Sequence, residues 1–353
     1  MNLHVSHIPD GFRNTGIVSP LNCDSDLLLT REGDCFVAEV LPFDISDPSY
    51  RNHFHIAGSP VYLSPGDRVP LILSYRRSMM EFASSTGEYS FRAGDNVWIL
   101  GGDGYAGSFD CALREYGQAI QATIIGAITG EKSGTVRNVM DFVQPREEED
   151  DVAADPFVVA VVGSRMDCGK STAIRSLTAG LRTSGHHVVA GKVTGFGCRY
   201  ETTGLNADSC LDFTDYGLTS TCGKDSDYVI QTARRIVEDL RRSRPDVVVL
   251  EFGGGLIGPY RVDDVVKSLC PDIDLAVFVA FDLCGVAGGA VRLQELGVSA
   301  DFVTGPVANT PVGVGLIDHH HGLPAETNRE GMPKLLSMIE ERVSKSLSRS
   351  GIG

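Results

Sequence analysis

The sequence lacks the features that would assign it to a protein class at once. No apolar run approaches the roughly 20 residues of a membrane-spanning helix. The start, MNLHVSHIPDGFR, has no charged segment followed by an apolar one, so a secretion signal is not expected. The 9 cysteines include no Cys-x-x-Cys pair, which favours reduced, mostly buried thiols over a zinc site or a disulfide framework. We therefore expect a cytoplasmic protein that has no membrane partner.

An excess of positive charge is missing as well. The 31 Lys and Arg residues face 46 Asp and Glu residues, which gives a formal net charge of −15. Such a chain is not expected to bind nucleic acid or anionic lipid through a broad positive field, so any anion has to be held by local geometry. The 353 residues, 42% of them hydrophobic, are enough for two domains with buried cores.

Residues 1–145 predict a β-rich domain. Short apolar runs, such as Phe36–Leu41 and Val97–Leu100, are separated by Pro-Gly and Gly-Asp turn signals, a pattern typical of a small antiparallel barrel or sandwich. We also expect a covering helix near Cys111–Ala122. Residues 146–156, REEEDDVAADP, are charged and poor in apolar side chains, and they predict an acidic linker.

Residues 157–353 predict an α/β domain, because Val-rich runs alternate with helical patterns. Near-continuous apolar strands of this kind form parallel sheets covered on both faces, and ligands collect at the carboxyl ends of their strands. The predicted strands are Val158–Val162, Val188–Val193, Val247–Phe252, Leu275–Phe281 and Phe302–Val307, and the predicted helices are Ser171–Thr183, Tyr228–Arg242, Val262–Ser268, Ala287–Leu296 and Lys334–Ser346.

The stretch 158–172, VVAVVGSRMDCGKST, carries the most chemistry. An apolar strand stops at Gly163, a short loop ends in Gly169-Lys170-Ser171-Thr172, and a helical pattern follows. The backbone N–H groups of such a loop bind phosphate oxygens, its lysine reaches the β- and γ-phosphates, and its serine hydroxyl binds Mg²⁺. Five residues separate Gly163 from Gly169, where the usual phosphate loop has four. An ordinary Gly-rich turn is the alternative interpretation.

Charged residues occur at the ends of the next two predicted strands. Lys192, followed by Val193-Thr194-Gly195, can direct an ammonium group at a phosphate or carboxylate; a surface lysine is the alternative. Glu251 follows four apolar residues and precedes Phe252 and three glycines, Gly253-Gly254-Gly255. A carboxylate is costly to bury there, and phosphate-loop enzymes usually carry at this position the acid that holds Mg²⁺.

Three further polar residues are candidates for the same site. Asp212 and Asp215 lie in a polar crossing segment, where they either complete the Mg²⁺ shell or form a turn and a helix cap. Asn309 follows the last predicted strand and is a candidate to hydrogen-bond a purine edge. No Asn-Lys-x-Asp guanine motif occurs in the sequence, which favours ATP over GTP.

With these residues, the region of about 157–310 resembles the dethiobiotin synthetase and cobyrinate amidase group of SIMIBI-type P-loop enzymes. The loop 163–172 has the long spacing of that group, Lys192-Val193-Thr194-Gly195 matches its strand-end lysine that contacts substrate, and 251–255 is similar to its Glu-Gly-Ala-Gly-Gly segment. The resemblance implies ATP- and Mg²⁺-dependent activation of a small-molecule oxyanion, such as a carboxylate, by phosphoryl transfer. It also implies a homodimer.

The residues and the resemblance together divide the expected site into overlapping sets. Lys170, Lys192, Glu251 and Asp215 are expected to be catalytic, and Ser171, Asp212, Asp215 and Glu251 to hold Mg²⁺. Lys192, Thr194, Gly253 and Gly254 are expected to bind substrate. The nucleotide is expected to contact Gly163, Ser164, Arg165, Met166, Asp167, Cys168, Gly169, Lys170, Ser171, Thr172 and Asn309.

The chain also departs from that group. Its β-rich domain has no counterpart there, the stretches that recognise substrate in dethiobiotin synthesis are not recognisable, and no glutaminase domain is expected after the last strand. Two other functions therefore stay open. One is a nucleotide-switch ATPase or GTPase that delivers a metal, cofactor or client protein, with 212–221 as its switch loop. The other is a regulatory protein whose β-rich domain does the binding. The strand-end lysine, Lys192, favours the enzyme.

Overall fold

The computed structural model describes residues 1–47, 53–79, 81–85, 90–114, 117–130, 134–143 and 155–349, and the chain in it divides into two compact units. The first unit comprises Met1–Glu147, Phe196–Glu201 and Phe213–Gly223, and the second comprises Glu148–Gly195, Thr202–Asp212 and Lys224–Gly353. The sequence predicts a single boundary at the acidic linker, most of which lies outside the described residues. The structure adds two later segments of the chain to the first unit.

The first unit is built on a closed β-barrel. Its strands are β1 Asn2–Leu3, β2 Leu21–Asp24, β3 Cys35–Val40, β4 His53–Ile56, β5 Ser59–Tyr62, β6 Arg68–Leu73, β7 Phe82–Ala83, β8 Asn96–Gly101, β9 Tyr105–Gly107, β10 Cys111–Ala112 and β11 Gln121–Ile128. Strands β11, β3, β6, β9 and β8 pair in that order, and β8 pairs back with β11. Closure leaves these five strands without a free edge. The helix expected near Cys111–Ala122 is wrong, because β10 and the start of β11 form there.

The barrel encloses an apolar core. Every second residue of β11 from Ala122 to Ile128 is buried, as expected for a strand with one face turned inward. The side chains of Phe36, Leu71, Ile99 and Ile124 meet in this core. The sequence-based expectation of a β-rich barrel or sandwich is thereby confirmed in its barrel form.

The second unit contains a six-stranded parallel sheet. Its strands are β12 Phe157–Gly163, β13 Val188–Thr194, β14 Ser209–Asp212, β15 Val247–Phe252, β16 Leu275–Val279 and β17 Phe302–Thr304, in the order β14-β13-β15-β12-β16-β17. Every pairing is parallel. After β12 the chain crosses towards β13, and after β16 it crosses towards β17. The two connections therefore diverge beside β12, where open α/β sheets bind ligands.

Helices cover both faces of this sheet, as the buried apolar strands require. The helices of the chain are α1 Lys170–Thr183, α2 Arg199–Thr203, α3 Ser226–Arg241, α4 Val262–Leu269, α5 Leu283–Glu295, α6 Pro311–His321 and α7 Pro333–Arg349. Helix α1 buries Ile174, Leu177 and Leu181 along one face, which matches the periodicity seen in the sequence. Within the described part of the chain, no helix combines the length and apolarity that a membrane crossing requires.

Candidate functional site

The loop between β12 and α1 turns sharply at the carboxyl edge of the sheet. The backbone N–H of Ser164 donates to Val279 O of β16 at 2.9 Å, which ties the start of the loop to the neighbouring strand. Asp167 and Gly169 have φ angles of +57° and +96°. A Cβ on Gly163 would lie 2.5 Å from Cys168 Sγ and 2.9 Å from Lys170 Cδ, so the loop closes this tightly only over a glycine.

Lys170 points its ammonium group into this loop. The side chain is 6% exposed, and Nζ donates to Arg165 O at 3.0 Å and to Gly254 O at 2.8 Å. Both acceptors are neutral carbonyls, Nζ also lies 3.9 Å from Cys168 Sγ, and no carboxylate in the described part of the chain hydrogen-bonds to Lys170. A full negative charge attracts an ammonium group more strongly than a neutral carbonyl does at the same distance, which makes phosphate oxygens better partners for Lys170.

Ser171 and Glu251 form the oxygen-rich part of the site. Ser171 Oγ donates to Glu251 Oε1 at 3.1 Å, across the first turn of α1 and the end of β15. Glu251 is 2% exposed, and its second oxygen, Oε2, is buried with no hydrogen-bond partner among the described residues. A buried carboxylate oxygen without a donor is costly. A hydroxyl beside such an oxygen is the ligand chemistry of Mg²⁺, so these residues fit that ion.

Three charged residues lie side by side on neighbouring strands. Asp212 of β14 pairs in register with Lys192 of β13, and Lys192 pairs with Glu251 of β15. Residues in register on parallel strands project to the same face of the sheet, about 4.8 Å apart. Asp212 and Lys192 are 1% and 5% exposed. The carboxyl edge of the sheet therefore holds a buried row of one ammonium between two carboxylates.

The expected substrate residues contact one another and Lys170. A bulge between Lys192 and Thr194 shifts the register of β13, and Thr194 Oγ1 donates to Gly253 O at 2.9 Å. A Cβ on Gly253 would overlap the Thr194 carbonyl oxygen and lie 3.0 Å from Lys192 Cε. Gly254 O accepts from Lys170. Residues 253–254 thus connect the strand-end lysine to the loop lysine.

Asp215, which the sequence predicts to hold Mg²⁺, is bonded in the structure to two arginines and an asparagine. It belongs to the first unit, where Oδ1 accepts from Arg13 Nη2 at 2.6 Å and from Asn14 Nδ2 at 2.7 Å. Oδ2 accepts from Arg199 Nη1 at 2.8 Å. Two guanidinium groups neutralise this carboxylate and repel a further cation. The structure therefore gives Asp215 a structural ion pair, and Asp212, next to Lys192, is the aspartate in the charged row.

Other residues of the expected nucleotide set have defined partners. The Arg165 guanidinium lies 3.8 Å from the centre of the Phe281 ring, a cation–π contact. Asn309 Oδ1 accepts from Thr327 Oγ1 at 2.9 Å. Cys168 is completely buried. Contact of Asn309 with a purine stays a prediction.

Sequence reasoning missed Asn328. Its side chain is buried, and Nδ2 donates to Gly169 O at 2.9 Å. The backbone carbonyl of Asn328 accepts from Ser176 Oγ at 3.1 Å. Asn328 therefore fixes the end of the loop against α1. It lies in the segment between α6 and α7, about 160 residues from the loop, where no local pattern distinguishes it from an ordinary turn residue.

The first unit holds a separate pair of ionisable residues. His55 Nδ1 lies 3.5 Å from Asp103 Oδ1, and the His55 ring stacks on Tyr200 with the centroids 3.8 Å apart. Burial raises the pKa of Asp103, although His55 and the backbone N–H of Arg199 favour its ionised form. His53 and His55 share one face of β4, as their spacing in the sequence suggests, with ring centroids 5.1 Å apart.

Comparisons with known proteins give only distant likenesses. No family model and no curated protein sequence matches the chain. A DUF1611 family protein from Anabaena variabilis superposes with a TM-score of 0.40 and 15% identity, over 56% of this chain and 63% of that one. The 54 kDa signal recognition particle protein from Aeropyrum pernix, in complex with GDP, gives 0.37 and 18%, over 60% and 55%.

A third solved structure is similar to the same degree. The cell division protein FtsY from Thermotoga maritima gives a TM-score of 0.36 and 16% identity, over 53% of this chain and 66% of that one. The chain thus spans less than two thirds of the length of each of these proteins. The likeness is partial, and the chemistry of the site follows from its own geometry.

Proposed function

We propose that the second unit binds ATP with Mg²⁺ and transfers a phosphoryl group to a small-molecule oxyanion, a carboxylate or a similar group. The protein would act as a ligase-like synthetase or as a small-molecule kinase. The observation that carries this proposal is the buried row of Asp212, Lys192 and Glu251, which adjoins the loop lysine through Gly253 and Gly254. A domain that only binds nucleotide has little use for a second buried ammonium group at this edge.

Each residue of the loop has a distinct part in this proposal. The backbone N–H groups of 163–169 and the N-terminus of α1 bind the phosphates. Lys170 leaves its carbonyl partners and donates to the β- and γ-phosphate oxygens. Ser171 and Glu251 hold the metal, and Asp212 positions the neighbouring ammonium group of Lys192. When bound, Mg²⁺ neutralises the negative charge that develops on the phosphate oxygens.

Lys192 serves the acceptor side of the reaction. Its stem lies against Gly253, and its strand position directs the ammonium group to the same sheet edge as Lys170. It would hold the oxyanion in line with the phosphoryl group and stabilise the charge that spreads over both in the transition state. Catalysis in this scheme is positioning and electrostatics. No covalent intermediate with the protein is needed.

The choice of nucleotide and of substrate class rests on the motifs and the net charge of the sequence. The absence of an Asn-Lys-x-Asp motif favours ATP, and the net charge of −15 favours a small molecule held locally over a nucleic acid. The implied activation of a carboxylate rests on the resemblance to the dethiobiotin synthetase group. A nucleotide switch that delivers a metal, cofactor or client protein is the competing function.

A metabolite screen distinguishes these functions. The protein is incubated with Mg·ATP and a cell extract of small molecules, and new masses are read by mass spectrometry. A gain of HPO₃ identifies a kinase, and a condensation with loss of water identifies a ligase. Lys192→Met should bind ATP normally yet form no product, whereas exposed Lys267→Met should behave as wild type. Slow ATP or GTP hydrolysis that no metabolite stimulates would instead support the switch.

A further inference from the structure

The segment between α6 and α7, residues 322–332, which we call the α6–α7 segment, lies beside β17. Ala325 forms a parallel bridge with Val303 of that strand. The hydroxyl of Thr304, the last residue of β17, donates to the carbonyl oxygen of Glu326 at 2.6 Å. Because the bridge is parallel, the chain after Ala325 continues towards the carboxyl ends of the strands. The segment is therefore fixed at the edge of the sheet where the phosphate loop begins.

Two consecutive residues of the α6–α7 segment contact residues of the expected nucleotide set. Thr327 Oγ1 donates to Asn309 Oδ1 at 2.9 Å, and Asn309 is the candidate for contact with the purine. Asn328 Nδ2 donates to Gly169 O at 2.9 Å, and Gly169 is the last residue of the phosphate loop before α1. The segment thus has one contact on the base side of the expected site and one on the phosphate side.

The contact at Gly169 bears on the backbone N–H of Lys170, because the Gly169 carbonyl and this N–H belong to one peptide group. That peptide is trans and planar, so its C=O and N–H bonds point in opposite directions. Gly169 O accepts from Asn328 Nδ2 and also from Ala173 N at 3.0 Å, the first hydrogen bond of α1. The Lys170 N–H therefore points out of the helix start, the direction from which such a helix binds phosphate oxygens.

Gly169 gains from an external constraint on this orientation. Its φ of +96° lies in the left-handed region, and a glycine allows the adjoining peptide groups more orientations than any other residue does. A Cβ on Gly169 would lie 2.7 Å from Asn328 Nδ2, so the amide lies directly against the glycine. Asn328 is 4% exposed, and its backbone carbonyl accepts from Ser176 Oγ of α1 at 3.1 Å. Asn328 is itself held in place by α1 and by the segment beside β17.

We propose that Asn328 is a positioning residue for phosphate binding. Its amide holds the Gly169 carbonyl, and this contact keeps the Lys170 N–H directed at a phosphate oxygen of the bound nucleotide. Asn328 touches no phosphate itself, because it acts through the peptide group between Gly169 and Lys170. The proposal rests on the nucleotide-binding function proposed above. It gives the α6–α7 segment, which is far from the loop in sequence, a part in the affinity for the phosphates.

Tripolyphosphate, which has the phosphates of ATP and no base, separates this role from one on the base side. Its Mg²⁺ complex is titrated into the full chain by calorimetry. Asn328→Leu keeps a branched side chain and Asn328→Ala removes it, and neither donates a hydrogen bond. Both should bind Mg·tripolyphosphate and Mg·ATP at least about tenfold more weakly than wild type, because an N–H bond to a charged oxygen is misdirected. Thr327→Val and exposed Glu330→Gln should bind tripolyphosphate as wild type does.

The outcomes distinguish the role of Asn328 from the proposed function. A folded wild type that binds neither Mg·ATP nor Mg·tripolyphosphate would refute the nucleotide site, and the role of Asn328 with it. Wild-type binding that both Asn328 variants retain would overturn the role of Asn328 alone. A loss of tripolyphosphate binding in Thr327→Val as large as in the Asn328 variants would also overturn it, because the segment would then support the site only in a general way. Circular dichroism at the temperature of the titration checks that each variant is folded.

The Lys170 amide gives a readout that a loss of stability would not move. In protein labelled with ¹⁵N-lysine, the resonance of this amide is the one missing from Lys170→Arg. Charge-assisted hydrogen bonds are short, so saturation with Mg·tripolyphosphate should move the Lys170 amide proton downfield in wild type and clearly less in Asn328→Leu. An amide proton that does not move in wild type, or that moves equally in both proteins, would overturn the proposal.

Discussion

At the scale of single residues, the second unit buries charge where an apolar core would be more stable. Lys170, Lys192 and Glu251 are almost fully removed from solvent, and one oxygen of Glu251 has no donor among the described residues. Burial of an ion costs several kcal/mol unless its partners compensate. Such an arrangement is expected where a ligand with its own charges completes the set, as Mg²⁺ and phosphate would do here.

Replacing Glu251 with glutamine should separate metal binding from stability. The amide keeps the shape but removes the buried charge, so the melting temperature in metal-free buffer should not fall, while the Mg²⁺ concentration for half-maximal nucleotide binding should rise at least about tenfold. Glu238→Gln, at an exposed position of α3, is the control. Unchanged Mg²⁺ titrations would remove Glu251 from the metal site.

Gly253→Ala tests the close packing beside Lys192. The added Cβ would overlap the Thr194 carbonyl and press on the Lys192 stem, so we expect a loss of about 1–3 kcal/mol in the free energy of unfolding and a loss of product formation. At exposed Gly258 a Cβ would meet only Gly255 O at 3.4 Å, an ordinary contact. Gly258→Ala should therefore be neutral. Equal behaviour of the two variants in urea unfolding would contradict this account.

At the scale of elements, aspartates fasten the amino ends of the parallel strands. Asp208 accepts from Val188 N at 2.9 Å, Asp274 from Val158 N at 2.8 Å, and Asp301 from Ala276 N at 2.9 Å. Each aspartate lies directly before a strand and accepts a hydrogen bond from a backbone N–H of the strand beside it. These contacts satisfy donors that the parallel ladder leaves unpaired at its edge.

Asp208 should give one of these contacts a pH signature. The Val188 N–H and the Arg182 guanidinium hold the pKa of Asp208 below its ordinary value of 3.8. A lowered folded-state pKa stabilises the fold above the ordinary pKa, and this stabilisation is lost as pH falls through the lowered value. Asp208→Ala should cost roughly 1 kcal/mol at pH 6 and much less at pH 2.5. Urea midpoints at both pH values measure this; a cost that does not depend on pH would exclude the ionic contact.

The sequence predicts elements well where apolar runs are long, and less well elsewhere. The strand Val247–Phe252 has the predicted bounds, whereas Leu275–Phe281 ends at Val279. The edge strand Ser209–Asp212 has no apolar run, and α6, with its proline and glycines, resembles a loop in sequence. The helix expected near Cys111–Ala122 is wrong because distant pairings, such as Gln121 with Trp98, decide the structure there.

The candidate site shows the same limit. Lys170 and Ser171 are visible in the sequence because they follow an apolar strand and its loop, and Lys192 and Glu251 because each lies near the end of an apolar strand. Their register across β13 and β15 is not visible, since pairing between strands is a tertiary property. The partner of Asp215, Arg13, lies 202 residues away, so no local pattern could separate its ion pair from a metal shell.

At the scale of the whole molecule, the first unit is completed by residues from the second half of the sequence. Phe196 is buried in this unit, and the centre of its ring lies 4.7 Å from Arg76 Cζ and 5.3 Å from the centre of the Tyr105 ring. The hydroxyl groups of Thr219 and Ser74 hydrogen-bond to each other at 2.7 Å. The polypeptide therefore leaves the second unit after β13 and after β14 and returns each time. A barrel made of residues 1–145 alone would lack these segments.

Phe196→Ala measures how much the first unit depends on them. Loss of a buried aromatic ring costs about 3–5 kcal/mol, so we expect a large drop in the stability of the barrel although the substitution lies outside 1–145. Hydrogen exchange of the strands β3, β6 and β8 should accelerate. Ile257→Ala, at an exposed position, should change nothing. Unaltered exchange in the barrel of Phe196→Ala would show that the later segments do not stabilise it.

The most direct test of the central claim is calorimetric titration of Mg·ATP into the full chain, with Lys170→Ala and exposed Lys267→Ala alongside. The account predicts one nucleotide site per chain, binding by Lys267→Ala equal to that of wild type, and an affinity about 100-fold lower in Lys170→Ala with the melting temperature of the free protein preserved. Nucleotide binding that survives the loss of Lys170, or a folded wild type that binds neither ATP nor GTP, would contradict it.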